Sequence, residues 1–274
     1  MRPMLRYHGG KFRIAHWIVQ HFPPHRAYVE PFAGAGSVFF QKPRSPCETI
    51  NEIDDRIVNV YEVLRDPVSA AELRRRLELT PYARGSYEWS YQLPVDKIDA
   101  AHKAITISFM GQGSDGITRR YRTGFRARPS QERSTAAHEW ATWPKEIEFF
   151  HQRLRGVMIE RCNALKLISR LDGPDVLTYC DPPYLLSTRS APKTGHGYTH
   201  EMTDADHVVL ASTLHACTGL VLISSYPCEL YNDLYKGWGQ VTMEVRVERN
   251  RKRTEVLWMN PAAMAAQRQP RLIA

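Results

Sequence analysis

The sequence predicts an α/β fold built around a mostly parallel sheet. Short apolar runs of strand length, such as Ala27–Glu30 and Val176–Cys180, alternate with segments whose apolar residues recur at helical spacing. The second of these runs continues into Asp181, Pro182 and Pro183. A rigid turn is expected there, because proline has no N–H for a sheet and restrains the preceding residue to extended geometry. Open α/β sheets bind their ligands at this carboxyl edge.

The composition is that of a basic chain with enough apolar residues for a sizeable core. Of the 274 residues 43% are apolar, and the formal net charge is +8. This charge favours a polyanionic partner, the alternative being a merely basic protein. The five cysteines are scattered, so neither a disulfide framework nor a zinc site is indicated, and a reducing cytoplasm is expected. No signal peptide is predicted, and no apolar run approaches the roughly 18 residues of a membrane span.

The first segment with recognisable chemistry is Tyr7–Lys11, a glycine turn that leads into a helix predicted at 12–21. Gly9 and Gly10 let backbone N–H groups approach a ligand closely. The alternative for Lys11 is a solvated lysine near the start of a helix.

The first strand, 27–30, runs into a glycine loop at 31–36. Gly34 and Gly36 supply only part of a dinucleotide fingerprint, because Phe39 stands where a third small residue is needed for close packing. The loop therefore disfavours NAD and permits a nucleoside cofactor without a pyrophosphate.

Two acidic residues, Glu52 and Asp54, follow the second predicted strand. Glu52 comes eighteen residues after Gly34, and an acid at this strand end accepts hydrogen bonds from ribose hydroxyls in nucleotide-binding sheets. A solvated acidic loop is the alternative for both residues. A helix is predicted at 56–65, and Asp66-Pro67 marks a break.

From residue 66 to about residue 150 the pattern changes. Charged helices are predicted at 70–79 and 100–110, and a loop with several glycines follows them. The loop ends in residues 119–128, which carry five arginines in ten positions with two aromatic residues between them. Guanidinium groups bind phosphates and guanine edges while rings stack on bases, so this stretch is predicted to bind nucleic acid. A solvated basic hairpin is the alternative.

The second half of the chain returns to alternating strands and helices. The predicted elements are a strand at 157–160, a helix at 162–168, a mobile loop over the site at 185–198, a helix after Thr203, a buried strand at 219–224 and closing strands at 238–246 and 254–259. The tail after Pro261 is expected to be poorly ordered. Asn163 is either a ligand or the N-cap of its helix.

The turn Asp181–Tyr184 carries the most specific chemistry. It combines a carboxylate, a proline carbonyl and an aromatic ring. The two acceptors can take hydrogen bonds from the two N–H groups of an amino group on a planar heterocycle. The aromatic ring can stack on the face of that heterocycle. A plain turn is the alternative.

Together, the motifs Glu30–Ser37 and Asp181–Tyr184 resemble the cofactor and catalytic motifs of the Dam-like DNA adenine N6-methyltransferases. The similarity continues through Tyr7–Lys11, Asn51–Asp54 and Thr254–Pro261, and it covers most of the chain outside 66–150. The order of the motifs resembles that of the alpha class of amino-methyltransferases.

This resemblance implies a Rossmann-like S-adenosylmethionine (SAM) methyltransferase fold, with a mixed, mostly parallel sheet and an antiparallel strand near its end. Residues 1–65 and 151–274 would form the SAM-binding catalytic domain, and 66–150 an inserted, mainly helical target-recognition domain. The implied partner is double-stranded DNA, bound by a cytoplasmic monomer or homodimer. No metal is implied.

The resemblance also assigns roles to individual residues. The Asp181 carboxylate and the Pro182 carbonyl would accept the hydrogens of adenine N6, Pro183 would hold the turn, and Tyr184 would stack on the flipped-out base. The implied cofactor-binding residues are Tyr7, Gly10, Lys11, Pro31, Phe32, Ala33, Gly34, Gly36, Ser37, Glu52, Asp54, Asn163 and Asp181. The DNA-binding residues are predicted from the basic stretches themselves, because the family's base-reading residues cannot be matched here one by one; they are Arg119, Arg120, Arg122, Arg126, Arg128, Arg189 and Arg251.

Two of these positions depart from the family pattern. Glu52 stands where the ribose-binding acid is usually Asp, so Asp54 is a second candidate for that role. Asn163 stands where the family usually has Asp at the adenine ring of SAM, and its amide oxygen is expected to accept from the exocyclic amine.

Three rival functions share part of this sequence pattern. The same catalyst on another amine would methylate cytosine N4, an RNA adenine or a protein glutamine, but the inserted region and Asp at position 181 favour DNA adenine. A catalytically silent DNA-binding module is disfavoured by intact motifs at both sites. An NAD oxidoreductase is disfavoured by Phe39.

Overall fold

The computed structural model of the protein describes residues 1–113, 116–117, 122–127, 135–188, 200–246 and 252–268. Most of the predicted loop at 185–198 lies outside these residues. So do five of the predicted DNA ligands, Arg119, Arg120, Arg128, Arg189 and Arg251. In the described part of the chain, no helix is long and apolar enough to cross a membrane.

A sheet of seven strands forms the centre of the described fold and confirms the predicted α/β class. The strands are β1 (Ala27–Glu30), β2 (Cys47–Asn51), β3 (Met158–Glu160), β4 (Val176–Cys180), β5 (Leu220–Ser225), β6 (Gly239–Arg246) and β7 (Lys252–Met259). Their order across the sheet is β3-β2-β1-β4-β5-β7-β6. The first five strands in this order, β3, β2, β1, β4 and β5, are parallel to one another. Strand β7 runs antiparallel to both of its neighbours, as predicted.

The parallel strands bring their carboxyl ends to one edge of the sheet. Strand β1 lies in the middle, with Ala27 in register with Cys47 on one side and Val176 on the other. The residues that follow these strands, Glu52 and Asp181 among them, therefore meet at this edge. Ligands bind at the same edge in open α/β sheets.

Strand β7 adds a residue to this edge from the opposite direction. Because β7 is reversed, its amino-terminal half lies beside the carboxyl end of β5, where Ser225 pairs with Val256. Glu255, the residue before Val256, therefore lies at the ligand-binding edge although it is distant in sequence from the other residues there.

Helices surround the sheet. Their bounds are α1 (Ala15–Gln20), α2 (Asp55–Arg65), α3 (Pro67–Leu79), α4 (Arg84–Trp89), α5 (Lys97–Met110), α6 (Ala136–Thr142), α7 (Ile147–Leu154), α8 (Ala164–Leu171), α9 (Asp204–His215), α10 (Glu229–Leu234) and α11 (Pro261–Arg268), with short 3-10 helices at Trp143–Glu146 and Leu186–Thr188. Alternate residues of β5 enter different apolar cores. Leu222 lies in one core and Val221 in the other, so the sheet is covered on both faces.

Segment 66–150 is mainly helical in its described part, as predicted. Leu73, Ile105 and Trp143 belong to the same apolar core as Tyr61 of α2. The segment therefore packs directly on α2, the helix that follows β2. Its assignment as a separate target-recognition domain stays a prediction.

Two boundary predictions have different outcomes. The break at Asp66 is confirmed, because this residue ends α2 and its side chain accepts from Ser69 N–H at 2.7 Å as the N-cap of α3. The expected poor order after Pro261 is wrong for residues 261–268, which form α11. Asn260 Oδ1 accepts from Ala263 N–H at 2.9 Å, and proline at the first helical position has no unpaired N–H.

Candidate active site

The turn after β4 holds Asp181 beside a buried lysine. Lys11 Nζ lies 2.8 Å from Asp181 Oδ1 and donates to the Gly9 carbonyl at 2.9 Å. The side chains of Lys11 and Asp181 are 5% and 17% exposed, so solvent screens their attraction only weakly. Burial raises the pKa of Asp181, while the ammonium of Lys11 acts to lower it. The alternative of a solvated Lys11 is wrong.

Tyr184 forms the next layer of the site. Its ring is 5% exposed, and its hydroxyl donates to Glu255 Oε2 at 2.8 Å. Lys11 Nζ lies 4.5 Å from the ring centroid, and Tyr226 packs edge to face at 4.6 Å. Stacking of a base on the face that Lys11 covers requires this ammonium to move, so the stacking role of Tyr184 stays a prediction.

The glycine loop after β1 needs glycine for steric reasons. Gly34 and Gly36 have φ of 51° and 65°, in the left-handed region that other L-residues rarely adopt. A Cβ on Gly34 would lie 2.9 Å from Tyr7 Cε1, and one on Gly36 would lie 2.8 Å from Phe40 Cε2 and from the Tyr61 hydroxyl. The loop is therefore wrapped tightly around aromatic side chains at the sheet edge.

Glu52 ties this loop to the end of β2. Its Oε1 accepts from the N–H groups of Ile53 and Asp54 at 2.8 and 2.9 Å, and its Oε2 accepts from Gly34 N–H at 2.8 Å. A carboxylate offers about four acceptor positions, so this set of bonds leaves one on Oε2. Burial raises the pKa of Glu52, and the three backbone N–H groups oppose that rise.

Asp54 serves the adjacent helix. Its Oδ1 accepts from Arg56 N–H at 3.0 Å as the N-cap of α2, and the Arg56 guanidinium donates to Oδ1 at 3.0 Å and to Oδ2 at 2.6 Å. Both carboxylate oxygens are thus engaged by one arginine. Glu52 is the better candidate for a ribose ligand.

Asn163 is the N-cap of α8. Its Oδ1 accepts from the N–H groups of Leu165 and Lys166 at 2.9 and 3.2 Å. A carbonyl oxygen has two lone pairs, and both are engaged by the helix here, so the expectation that this oxygen accepts from an exocyclic amine stays a prediction without support from this geometry. The amide NH2 is the part of the side chain with donors to offer a ligand.

Two cavities open at this edge, with volumes of about 370 Å³ and about 30 Å³. They share Tyr7, Phe32, Gly34 and Asp181 as lining residues. The larger has the size of a small-molecule site, and Glu52, Asp54, Asn163 and Pro31 line it. The smaller is lined by Gly10, Lys11, Ala33 and Ser37 among others. Of the predicted cofactor residues, only Gly36 lines neither cavity.

Sequence reasoning missed Glu30 as a site residue. This residue ends β1, lines the smaller cavity and accepts a hydrogen bond from the Tyr28 hydroxyl at 2.6 Å. Burial, with the negative charge of Asp181 nearby, raises the pKa of Glu30 to about 8. In the described residues, no group of three or more His, Cys, Asp or Glu side chains is arranged to hold a metal ion.

The raised pKa of Glu30 makes a prediction about stability. Between about pH 4.3, its ordinary value, and about pH 8, the folded protein binds a proton that the unfolded chain has released. The free energy of unfolding should therefore fall as pH rises through this interval, by at most about 1.4 kcal/mol per pH unit from this group. Glu30→Gln should flatten this part of the curve in urea denaturation. If the free energy of unfolding depended on pH with the same slope in the wild type and in Glu30→Gln, the raised pKa of Glu30 would be contradicted.

The described part of the basic stretch is held by aromatic side chains. The Arg122 guanidinium lies 4.6 Å from the Tyr91 ring centroid, and that of Arg84 lies 5.3 Å from the ring of Phe125. Arg122 and Arg84 are exposed. Arg126 is engaged differently, because its guanidinium donates to Glu139 Oε2 at 2.9 Å.

Other residues that sequence reasoning missed lie on β7 and at the end of β5. Glu255 and Tyr226 contact Tyr184, and the Arg253 guanidinium lies 4.9 Å from the Tyr226 ring centroid. Glu255 and Arg253 are two positions apart on β7, with Thr254 between them, so their side chains point to the same face of the sheet. The sequence held one signal for these residues. Charged residues occupy the first half of a strand whose second half is apolar.

The sheet order and the site at its carboxyl edge define a Rossmann-like methyltransferase fold. The chain matches the D12 class N6 adenine-specific DNA methyltransferase family over residues 7–254 and belongs to that family. It is an enzyme of DNA adenine methylation.

Similar proteins bear related names. The DNA adenine methylase of Vibrio cholerae is 25% identical over 243 residues, which cover 86% of this chain and 85% of the relative. That of Salmonella typhi is 24% identical over 242 residues, covering 86% and 84%. Among solved structures, a conserved hypothetical protein of Streptococcus pyogenes superposes with a TM-score of 0.37 and 11% identity, covering 92% of this chain and 96% of that one. A similarity at that level supports no conclusion.

Proposed function

We propose that this enzyme transfers the methyl group of SAM to N6 of an adenine that is flipped out of duplex DNA, with Asp181–Tyr184 as the catalytic turn. The observation that carries the proposal is the position of Asp181. It lies at the carboxyl end of β4, lines both cavities, and is held by Lys11. A group placed there reaches a cofactor in the cavities and a base that enters from outside.

The lining residues fit SAM in type. Glu52 Oε2 is available for a ribose hydroxyl, the Asn163 NH2 can donate to a ring nitrogen, and Phe32 and Leu165 offer apolar surface to a purine. Asp181, which lines both cavities, offers a negative charge toward the cationic sulfonium. When bound, SAM supplies an electrophilic methyl group on a sulfonium.

Asp181 and Pro182 act on the amino group of the base. The N6 lone pair of adenine is delocalised into the ring and is a poor nucleophile. The Asp181 carboxylate and the Pro182 carbonyl accept hydrogen bonds from the two N–H groups of this amine. These bonds favour the pyramidal geometry at N6 that frees the lone pair. Asp181 also offsets the positive charge that grows on N6 during transfer, and this charge is discharged when N6 releases one proton by way of Asp181 to solvent. Lys11 fixes the orientation of this carboxylate.

The extruded base must be recognised outside the stack. Tyr184 is the proposed stacking partner, with the Lys11 ammonium shifting off the ring face as the base enters while it keeps its ion pair with Asp181. A surface formed by α4 and residues 122–127 carries exposed arginines and aromatic rings, and it is proposed to bind the duplex backbone.

Removing two arginines of this surface tests the DNA proposal. Arg84→Ala with Arg122→Ala should lower DNA affinity and reduce the slope of log affinity against log salt by about 2, because each lost phosphate contact removes about 0.9 from that slope. Binding is followed by fluorescence anisotropy at several salt concentrations. The matched control is Arg74→Ala with Arg75→Ala on α3, whose guanidinium groups pair with glutamates of the same helix. An unchanged slope in the first variant would contradict the proposal.

Analysis of the product tests the function as a whole. The protein is incubated with unmethylated genomic DNA and isotope-labelled SAM, and the DNA is digested to nucleosides for mass spectrometry. The proposal expects labelled N6-methyladenine. Label in N4-methylcytosine, or label only when RNA replaces DNA, would instead support one of the rival amine substrates.

A further inference from the structure

Glu255 is a buried carboxylate in the site for which the reaction described so far has no use. It is 7% exposed, lies on β7, and accepts from the Tyr184 hydroxyl at 2.8 Å. It is separated from Tyr184 by 71 positions in the chain. Its place at the site follows from the reversal of β7 beside β5.

The bond between these residues is isolated from water. Tyr184 is itself only 5% exposed, and its ring is bounded by the Lys11 ammonium and by the edge of Tyr226. A hydrogen bond from a hydroxyl to a buried carboxylate is short and about twice as strong as one between neutral groups. The hydroxyl oxygen lies on the axis about which the ring turns, so anchoring it fixes the position and tilt of the side chain, while the contacts of Lys11 and Tyr226 with the ring restrict its rotation.

A buried carboxylate at this position lowers the free energy of unfolding unless its partners offset the loss of hydration. The charged groups that face Glu255 are Lys11, Asp181 and Arg253, of which Asp181 repels it. A neutral acceptor would satisfy the Tyr184 hydroxyl without that repulsion.

We propose that Glu255 is a positioning residue for methyl transfer, which acts by anchoring the hydroxyl end of Tyr184 and so fixing the position and tilt of the ring against which the flipped adenine is placed. The inference rests on the proposed function and adds a residue to it. Glu255 itself touches neither the base nor the cofactor in this scheme. Its effect is on the geometry of N6 relative to Asp181 and the methyl group, and small misplacements at that point lower the rate strongly.

Single-turnover methyl transfer tests the inference. In Glu255→Ala, the rate should fall by about tenfold to a hundredfold, with SAM affinity changed little, because the residue acts through Tyr184 and not on the cofactor. Tyr184→Phe removes the hydroxyl, which also acts on Asp181, so it should lose at least as large a factor. The double variant should be no slower than the slower single variant, because both substitutions break the same bond.

Conservative and control variants separate positioning from a general loss of structure. Glu255→Gln retains an acceptor oxygen without the charge, so it should recover part of the rate lost in Glu255→Ala. Glu244→Ala on β6 removes an exposed carboxylate that pairs with Lys252, and it should leave the rate unchanged. Thermal unfolding is measured for every variant.

The outcomes are distinct. Loss of rate in Glu255→Ala, recovery in Glu255→Gln and non-additivity with Tyr184→Phe support the inference. Additive losses, or a Glu255→Ala rate equal to that of the wild type, would overturn it while leaving the function intact. Absence of N6-methyladenine with the wild-type protein would instead overturn the proposed function.

Discussion

Asp181→Ala is expected to abolish methyl transfer while leaving a folded protein that still binds DNA. The carboxylate acts on an amine whose charge grows during the reaction, so its contribution belongs to the transition state more than to binding. Its removal also leaves the Lys11 ammonium without its ion-pair partner in a buried site. The charge of Lys11, no longer offset by Asp181, would repel the positive charge on N6. Single-turnover transfer of labelled methyl groups to duplex DNA measures the loss.

Asp181→Asn separates charge from hydrogen bonding at the same position. The amide keeps one carbonyl acceptor for an N6 hydrogen but cannot offset the developing positive charge. A rate loss of roughly a hundredfold or more is therefore expected, as for removal of one electrostatic contact to a transition state. Glu244→Gln provides a control of equal charge change at an exposed position. Near wild-type rates in either Asp181 variant would exclude this turn from catalysis.

The pH dependence of the rate follows from the same residue. Asp181 must be ionised to act, and burial raises its pKa above the ordinary value. The acid limb of the single-turnover rate should therefore lie at higher pH than for an ordinary aspartate. In Asp181→Asn this limb should disappear from the residual rate.

Glu52→Ala should produce the second large effect, on cofactor binding. It removes the proposed ribose acceptor and also the bond from Gly34 N–H that holds the glycine loop. Loss of a charged hydrogen bond is worth about 1.5–3 kcal/mol, so SAM affinity should fall by roughly tenfold to more than a hundredfold. Isothermal titration calorimetry measures this directly.

Two further variants identify the source of that loss. Glu52→Gln keeps an acceptor oxygen for part of the backbone network and should lose less affinity than Glu52→Ala. Asp54→Asn retains an N-cap for α2 and should bind SAM nearly as the wild type does. Unchanged affinity in Glu52→Ala with a loss in Asp54→Asn would transfer the ribose role to Asp54.

The parts of the site that sequence could predict are those with a local cause. The turn at Asp181 follows from two prolines after an apolar run. The glycine loop follows from positions where a side chain would collide with its surroundings, as the φ of Gly34 and Gly36 bears out. The ends of parallel strands meet at one edge, so the meeting of these motifs there was also predictable.

The parts that sequence could not predict depend on packing between distant segments. Glu255 reaches Tyr184 only because β7 is reversed beside β5. The burial of Lys11 depends on Asp181, which lies on another element. Helix α4 has six residues and no side-chain cap, too little for a periodic signal. Asn163 was predicted to be either a ligand or the N-cap of its helix. Only the coordinates show that its Oδ1 caps α8.

Modification-sensitive sequencing of genomic DNA from cells that produce either the wild type or Asp181→Ala tests the central claim most directly. The host should lack adenine methylation of its own, and both proteins should be produced in equal amounts. The account predicts N6-methyladenine at one defined sequence context with the wild type and none with the variant. Equal adenine methylation in the two samples, or methylation of cytosine alone, would contradict it.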